Sequence, residues 1–188
     1  MKNTLLTVAL LLSFGAVQAV EYNQVSPGES EVTFGYRQMG VPLEGKFNQF
    51  SVQLRFDPGK LDKAQAKIDI GIASIETGSD EANAEVVGKP WFNAKAFPTA
   101  SFVSSGLKAL GGDRYEASGK LSIKGRTLDV KVPVTFRPAG NKGRFEGVFS
   151  INRLDYAIGE GAWSDVDTVA NEIQIRFRLT VTATPSRK

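Results

Sequence analysis

The chain has 188 residues, with 23 Lys plus Arg against 20 Asp plus Glu, and neither histidine nor cysteine. The two absences exclude a Ser-His-Asp triad, a cysteine nucleophile, every His- or Cys-ligated metal centre and every disulfide, so a packed core must hold the fold. The formal charge of +3 is mild, and the basic residues are scattered singly among acids, which argues against a nucleic-acid partner.

Lys2 precedes an apolar run from Leu5 to Phe14, and the run is followed by Gly15-Ala16-Val17-Gln18-Ala19. A charged start, a short apolar stretch and small residues before the cut read as a secretory signal peptide cleaved after Ala19. The apolar run is shorter than the roughly 20 residues that a membrane-crossing helix needs. The expected mature chain, 20–188, is therefore one exported domain with no transmembrane segment, and it has no cysteine to carry a lipid anchor.

Period-2 alternation dominates the rest. Val32, Phe34 and Tyr36 form the first apolar face, and Phe50, Val52, Leu54 and Phe56 the second. Ile68, Ile70 and Ile72 follow, then a short strand near Ala100 to Ser104 that carries Phe102. Tyr115, Ala117, Gly119, Leu121 and Ile123 share a face, as do Leu128, Val130, Val132, Val134 and Phe136. Phe145, Gly147, Phe149 and Ile151 precede the longest run, Ile173 to Val181, which includes Phe177. Between the strands, Ser79 to Gly88 reads as a short helix with Ser79 as its N-cap, and Pro90-Trp91-Phe92 as the start of a second helical turn. Asp57-Pro58-Gly59, Gly111-Gly112-Asp113, Lys124-Gly125-Arg126 and Pro138-Ala139-Gly140-Asn141 are turn signals, so the gaps are short and the pairing antiparallel.

The expected fold is all-β: an eight-stranded antiparallel, lipocalin-like barrel with a short helical insertion over one end. A two-layer sandwich is the alternative, since alternation alone does not separate the two. The interior of such a barrel is either filled by side chains or holds one small ligand. The small inward residues Ala117, Gly119 and Gly147 would leave volume unless bulky neighbours take it.

The candidate lumen and mouth residues are Phe34, Tyr36, Phe50, Val52, Phe56, Ile70, Ile72, Trp91, Phe92, Phe102, Leu121, Ile123, Val132, Phe149, Ile151, Tyr156, Trp163 and Phe177. The inward strand positions carry no charge, so a ligand there would be apolar along its length. Arg37, Lys46 and Lys89 are candidates to meet a pyrophosphate at the rim, and Arg153 and Asp155 are expected to form a local ion pair. Asp165 and Asp167 could touch a Ca²⁺ ion, but they lack the further oxygen ligands of a recognised loop. No metal and no cofactor are expected, and no paired carboxylates suggest an enzyme.

Several ordered motifs resemble the YceI-like family. They are Gly45-Lys46-Phe47-Asn48-Gln49-Phe50 with Phe56-Asp57-Pro58-Gly59-Lys60-Leu61, then Ser74-Ile75-Glu76-Thr77-Gly78, Trp91-Phe92 and Phe97-Pro98-Thr99-Ala100-Ser101-Phe102. Gly119 to Gly125, Pro133-Val134 and the stretch from Ile151 to Tyr156 with Ile158 to Trp163 continue the match. The resemblance implies a periplasmic barrel that binds a polyisoprenoid, an isoprenoid quinone or another long-chain lipid, with no catalytic residues, and it is compatible with a homodimer. The family's Arg-Asp pair after the central motif is replaced here by Ser79-Asp80-Glu81-Ala82-Asn83-Ala84, a departure that bears on head-group preference. Two rival readings are a stress-related structural or interaction barrel with a filled core, and a hydrolase built on Asp165 and Asp167.

Overall fold

The computed structural model describes residues 20–185; the expected signal peptide and residues 186–188 lie outside the described residues. Among the described residues there are eleven strands: β1 Val20–Val25, β2 Glu31–Gln38, β3 Val41–Phe47, β4 Phe50–Arg55, β5 Gln65–Gly71, β6 Ile75–Glu76, β7 Thr99–Gly111, β8 Arg114–Ile123, β9 Arg126–Ala139, β10 Lys142–Asn152 and β11 Glu172–Pro185. All belong to one sheet, in the order β4-β5-β7-β8-β9-β10-β11-β2-β3-β6, with β1 on β11. A single sheet removes the two-layer sandwich.

The count of eight strands is corrected to eleven, for local reasons. β1 (Val-Glu-Tyr-Asn-Gln-Val) buries only Tyr22, so it has no alternating face to read. β3 contains Pro42 and Gly45, residues that ordinarily mark turns or edges. β6 is two residues long and exists only because it pairs with Lys46 and Phe47.

The sheet curls into a half-barrel, and its ladder does not close as a barrel's would. Its path starts on β4 and stops on β6. The bend at Asn48-Gln49 between β3 and β4 is tied instead by single bonds: the Asn48 amide donates to the Ser74 carbonyl at 3.0 Å, and the Gly71 amide to the Gln49 carbonyl at 3.0 Å. Tyr22 and Phe56 exchange backbone hydrogen bonds of 2.8 and 3.0 Å, which narrows the gap at one end. Bulges in β7, at Ser104/Gly106 and Ala109/Gly111, add the local bend that the curl needs.

Among the described residues one α-helix forms, α1, spanning Asp80–Val86, inside the expected bounds. The Ser79 hydroxyl accepts from the Ala82 amide at 3.4 Å, and Asp80 and Glu81 occupy the first turn, where the helix dipole favours acids. Pro90-Trp91-Phe92 forms turns, not helix: the Phe92 amide donates back to the Val86 carbonyl and the Asn93 amide to the Gly88 carbonyl, which fold the segment under α1. Among the described residues, no helix is long and apolar enough to cross a membrane.

Candidate functional site

The concave face of the sheet encloses two adjoining spaces. The larger is about 930 Å³ and the smaller about 150 Å³. Val32, Ile70, Ala100, Leu121, Phe149 and Ile175 line both, so the two are parts of one tapering lumen. The period-2 pattern of the strands places these side chains on the inner face, because alternate residues of a strand point the same way.

The narrow part ends in aromatic packing. Tyr22, Phe56, Phe136 and Phe145 are buried, and their ring centroids lie 4.5–5.0 Å apart along the contacts Tyr22–Phe136, Phe56–Phe136, Phe56–Phe145 and Phe136–Phe145. Rings at such distances pack as one aromatic cluster, from which Phe56 and Phe145 reach the wall of the narrow part. The glycines expected to leave volume do not. The Phe102 ring occupies the place a Cβ on Gly119 would take, and the Phe177 ring does so at Gly147. Each glycine seats an aromatic ring, so the space is filled there and opens elsewhere.

The wide part is bounded by loops as well as strands. Thr77, Ser79, Glu81, Ala82, Glu85 and Val86 bring α1 and its N-terminal turn to the wall, and Trp91, Phe92, Arg153, Ile158, Trp163 and Val169 complete it. Trp91 and Trp163 pack with ring centroids 5.3 Å apart. The Trp91 indole N–H is buried and has no hydrogen-bond partner among the described residues.

Two cations hold the loops in place. Arg153 is 1% exposed and does not pair with Asp155. Its Nε donates to the Ala170 carbonyl, its Nη1 to those of Ile158 and Gly159, and its Nη2 to those of Asp165 and Val169. A guanidinium has five N–H groups, and all five are used. Its carbon also sits 5.6 Å from the Trp91 ring centroid, a cation–π distance. Burial pushes the Arg153 pKa down, and nearby Asp165 opposes that shift. Lys124 reaches the Pro90 and Ala157 carbonyls and Glu160, so it ties the turn before Trp91 to the loop after Tyr156. The hydrogen bond from Lys124 holds the Glu160 carboxyl below its usual range.

Of the expected lumen and mouth residues, Phe34, Tyr36, Ile72, Trp91, Phe92, Ile123, Ile151 and Trp163 line the wide part, and Val52, Phe56, Phe102, Val132 and Phe177 the narrow part. Ile70, Leu121 and Phe149 line both. Phe50 and Tyr156 line neither. Phe50 packs partly buried beside the narrow end, and Tyr156 lies in the core around the mouth. Burial, aided by the Asp155 charge, pushes the Tyr156 hydroxyl up to about 12. Arg37, Lys46 and Lys89 are exposed and line neither space; Arg37 donates instead to the Gly40 carbonyl. The charges on the walls of the wide part are Glu81, Glu85 and Arg153. The sequence does not mark Arg153 as a wall residue. Nearby Asp155 offers it an obvious partner, while its real partners are backbone carbonyls up to 17 residues away. Asp165 accepts from the Asp167 amide and the Thr168 hydroxyl, contacts that hold its carboxyl below the usual range. Among the described residues, no group of three or more candidate ligands is placed to hold a metal ion.

Comparisons with known proteins agree on one family. The model of the YceI-like domain matches residues 24–181. A UPF0312 protein of Azotobacter vinelandii is 28% identical over 169 residues, covering 84% of this chain and 88% of its own. Among solved structures, BcnA of Burkholderia cenocepacia is 43% identical with a TM-score of 0.82, covering 85% of this chain and 100% of its own. A polyisoprenoid binding domain from Saccharophagus degradans, implicated in plant cell wall breakdown, shares the fold with a TM-score of 0.64 at 16% identity, covering 88% of this chain and 99% of its own.

Proposed function

Because the chain belongs to the YceI-like family, we propose that it binds a long apolar amphiphile in its lumen and carries it through an aqueous compartment, without catalysing a reaction. The observation that carries this reading is the tapering lumen, about 930 Å³ in its wide part, with apolar strand walls and an aromatic end. That volume is at the upper end of the roughly 300–1,000 Å³ of ordinary ligand pockets. Each buried CH₂ contributes about 0.8 kcal/mol, so a long chain supplies most of the binding free energy and a polar end need supply little. The polyisoprenoid-binding relative of the same fold supports a ligand of isoprenoid or comparable lipid type. The leader-like residues 1–19 support export, and the periplasm is the compartment proposed.

The test is organic extraction of the purified protein followed by mass spectrometry, with binding of a polyprenol to delipidated protein measured in parallel. A co-purifying lipid, or saturable polyprenol binding, is expected. An empty protein that takes up no polyprenol overturns the reading.

A further inference from the structure

A strip of apolar side chains leaves the lumen along the β2–β3 hairpin. Tyr36 lies opposite Leu43 and Gln38 opposite Val41, and directly opposed residues share a face of the sheet. Tyr36, Gln38 and Leu43 line the wide part of the lumen, so Val41 continues the same inner face past its rim. Exposure climbs along the strip, from 36% at Leu43 to 56% at Val41 and 73% at Met39 at the tip. Met39 and Gly40 form the two-residue turn, with φ of 49° and 78°. Such a turn favours Asn before Gly, because most side chains are strained in the left-handed region and Asn tolerates it. A methionine there gives up that preference and, so exposed, gains no packing in return. A local rule broken with no gain inside the fold calls for a contact outside it. The tip is held in place, since the Met39 amide donates to the Thr168 carbonyl at 2.9 Å. The loop that accepts this bond carries another exposed apolar residue, Val166.

We infer that this hairpin tip is a docking lip for a lipid bilayer: Met39 and Val41, with Val166 in the adjoining loop, enter the apolar layer and set the mouth of the lumen against it. Three observations favour a bilayer over a protein. The strip is continuous with the lumen wall through Leu43, so a chain leaving the bilayer meets apolar surface all the way. Among the described residues β3 pairs with β2 on one side and meets β6 on the other only at Lys46 and Phe47. The open edge beside the tip carries Pro42, which has no N–H and blunts the addition of a partner's strand. The partly exposed side chains of Met39, Val41, Leu43 and Val166 also fall well short of the roughly 800 Å² per partner that a stable protein interface buries. The attraction is apolar and not ionic, because Arg37, whose guanidinium bonds the Gly40 carbonyl, is offset by Asp165 and Asp167 on either side of Val166. This rests on the carrier reading, to which it adds the surface where the cargo is exchanged.

The experiment uses residues 20–188, which carry every described element, because the apolar run before them would bind lipid by itself. Flotation with vesicles of dioleoylphosphatidylcholine is measured beside polyprenol binding in detergent solution. The native chain should float with the vesicles. Met39→Asn should weaken flotation about tenfold, the scale of one large apolar side chain, while its urea midpoint holds or rises and its polyprenol binding is unchanged. Val148→Thr, at an exposed apolar position on the outer face of β10, should change nothing. A native chain that does not float, a Met39→Asn variant that floats as well as the native chain, or an equal loss in Val148→Thr overturns the inference. So does flotation that requires added dioleoylphosphatidylglycerol, which would make charge the attraction. A native dimer in sedimentation that Met39→Asn splits makes a second copy the occupant, and overturns it as well. In each of these cases polyprenol binding by the native chain leaves the carrier reading standing. A native chain that floats but binds no polyprenol retires the carrier reading, and with it the lip as a site of cargo exchange.

Discussion

At the narrow end of the lumen, four aromatic side chains from the strands and their edges pack against one another, with centroids 4.5–5.0 Å apart. At the wide end, helix α1 and two loops stand around about 930 Å³ of space, and the loops are held by cations bound to backbone carbonyls. One end is stabilised by apolar packing, which falls off steeply with a small displacement. The other is stabilised by directional polar contacts that leave the lumen open beside them. The contrast separates the part of the molecule that maintains the fold from the part that can receive a guest.

The most damaging change strikes the packed end. Phe56→Ala should cost about 3–5 kcal/mol, because its buried ring contacts Phe136, Phe145 and Tyr115. Phe92→Ala at the open end should cost about 1 kcal/mol, since its half-buried ring already faces space and loses less area. Urea unfolding of both variants measures the pair, and equal losses would dissolve the distinction.

Arg153→Met should cost about 3 kcal/mol, because removing the guanidinium strands several buried carbonyls. Amide hydrogen exchange should accelerate in the segment 157–170 more than in β10 and β11; uniform acceleration would mean that the cation does not hold the mouth loop. Gly147→Ala should cost about 1–3 kcal/mol by overpacking, because the Phe177 ring and the Pro133 carbonyl crowd the added methyl. Its urea midpoint should fall with no change of exchange in the segment 157–170.

A pH dependence tests the region around the mouth without altering its packing. The Tyr156 pKa is raised to about 12 in the fold, above the ordinary value of about 10. Between these values the folded state holds a proton that the unfolded state has lost, so stability is full below about pH 10 and falls as pH rises toward 12. The urea midpoint should decline over that window in the native chain and decline less in Tyr156→Phe.

Several of these features are legible from residue order alone. Alternation in β8 through β11 depends only on which residues are apolar, and it points Leu121, Ile123, Phe149 and Phe177 at the inner wall, where they lie. Ser79 followed by Asp80 and Glu81 marks the start of α1 because capping is a local interaction. β1 and β6 are not legible, since their pairing depends on neighbours distant in the chain, and β3, though it forms a hairpin with β2, is masked by Pro42 and Gly45.

The alternating pattern gives each strand one apolar face, because side-chain direction in a strand follows from position along the backbone, and the short turn-marked gaps make the pairing antiparallel. It leaves three outcomes open that the folded chain resolves: the ladder stays open, Phe102 and Phe177 fill the places beside Gly119 and Gly147, and Arg153 serves the mouth loop and not Asp155. Those outcomes depend on which groups meet across the fold, and distance in space between residues far apart in the chain is set by packing, not by local preference.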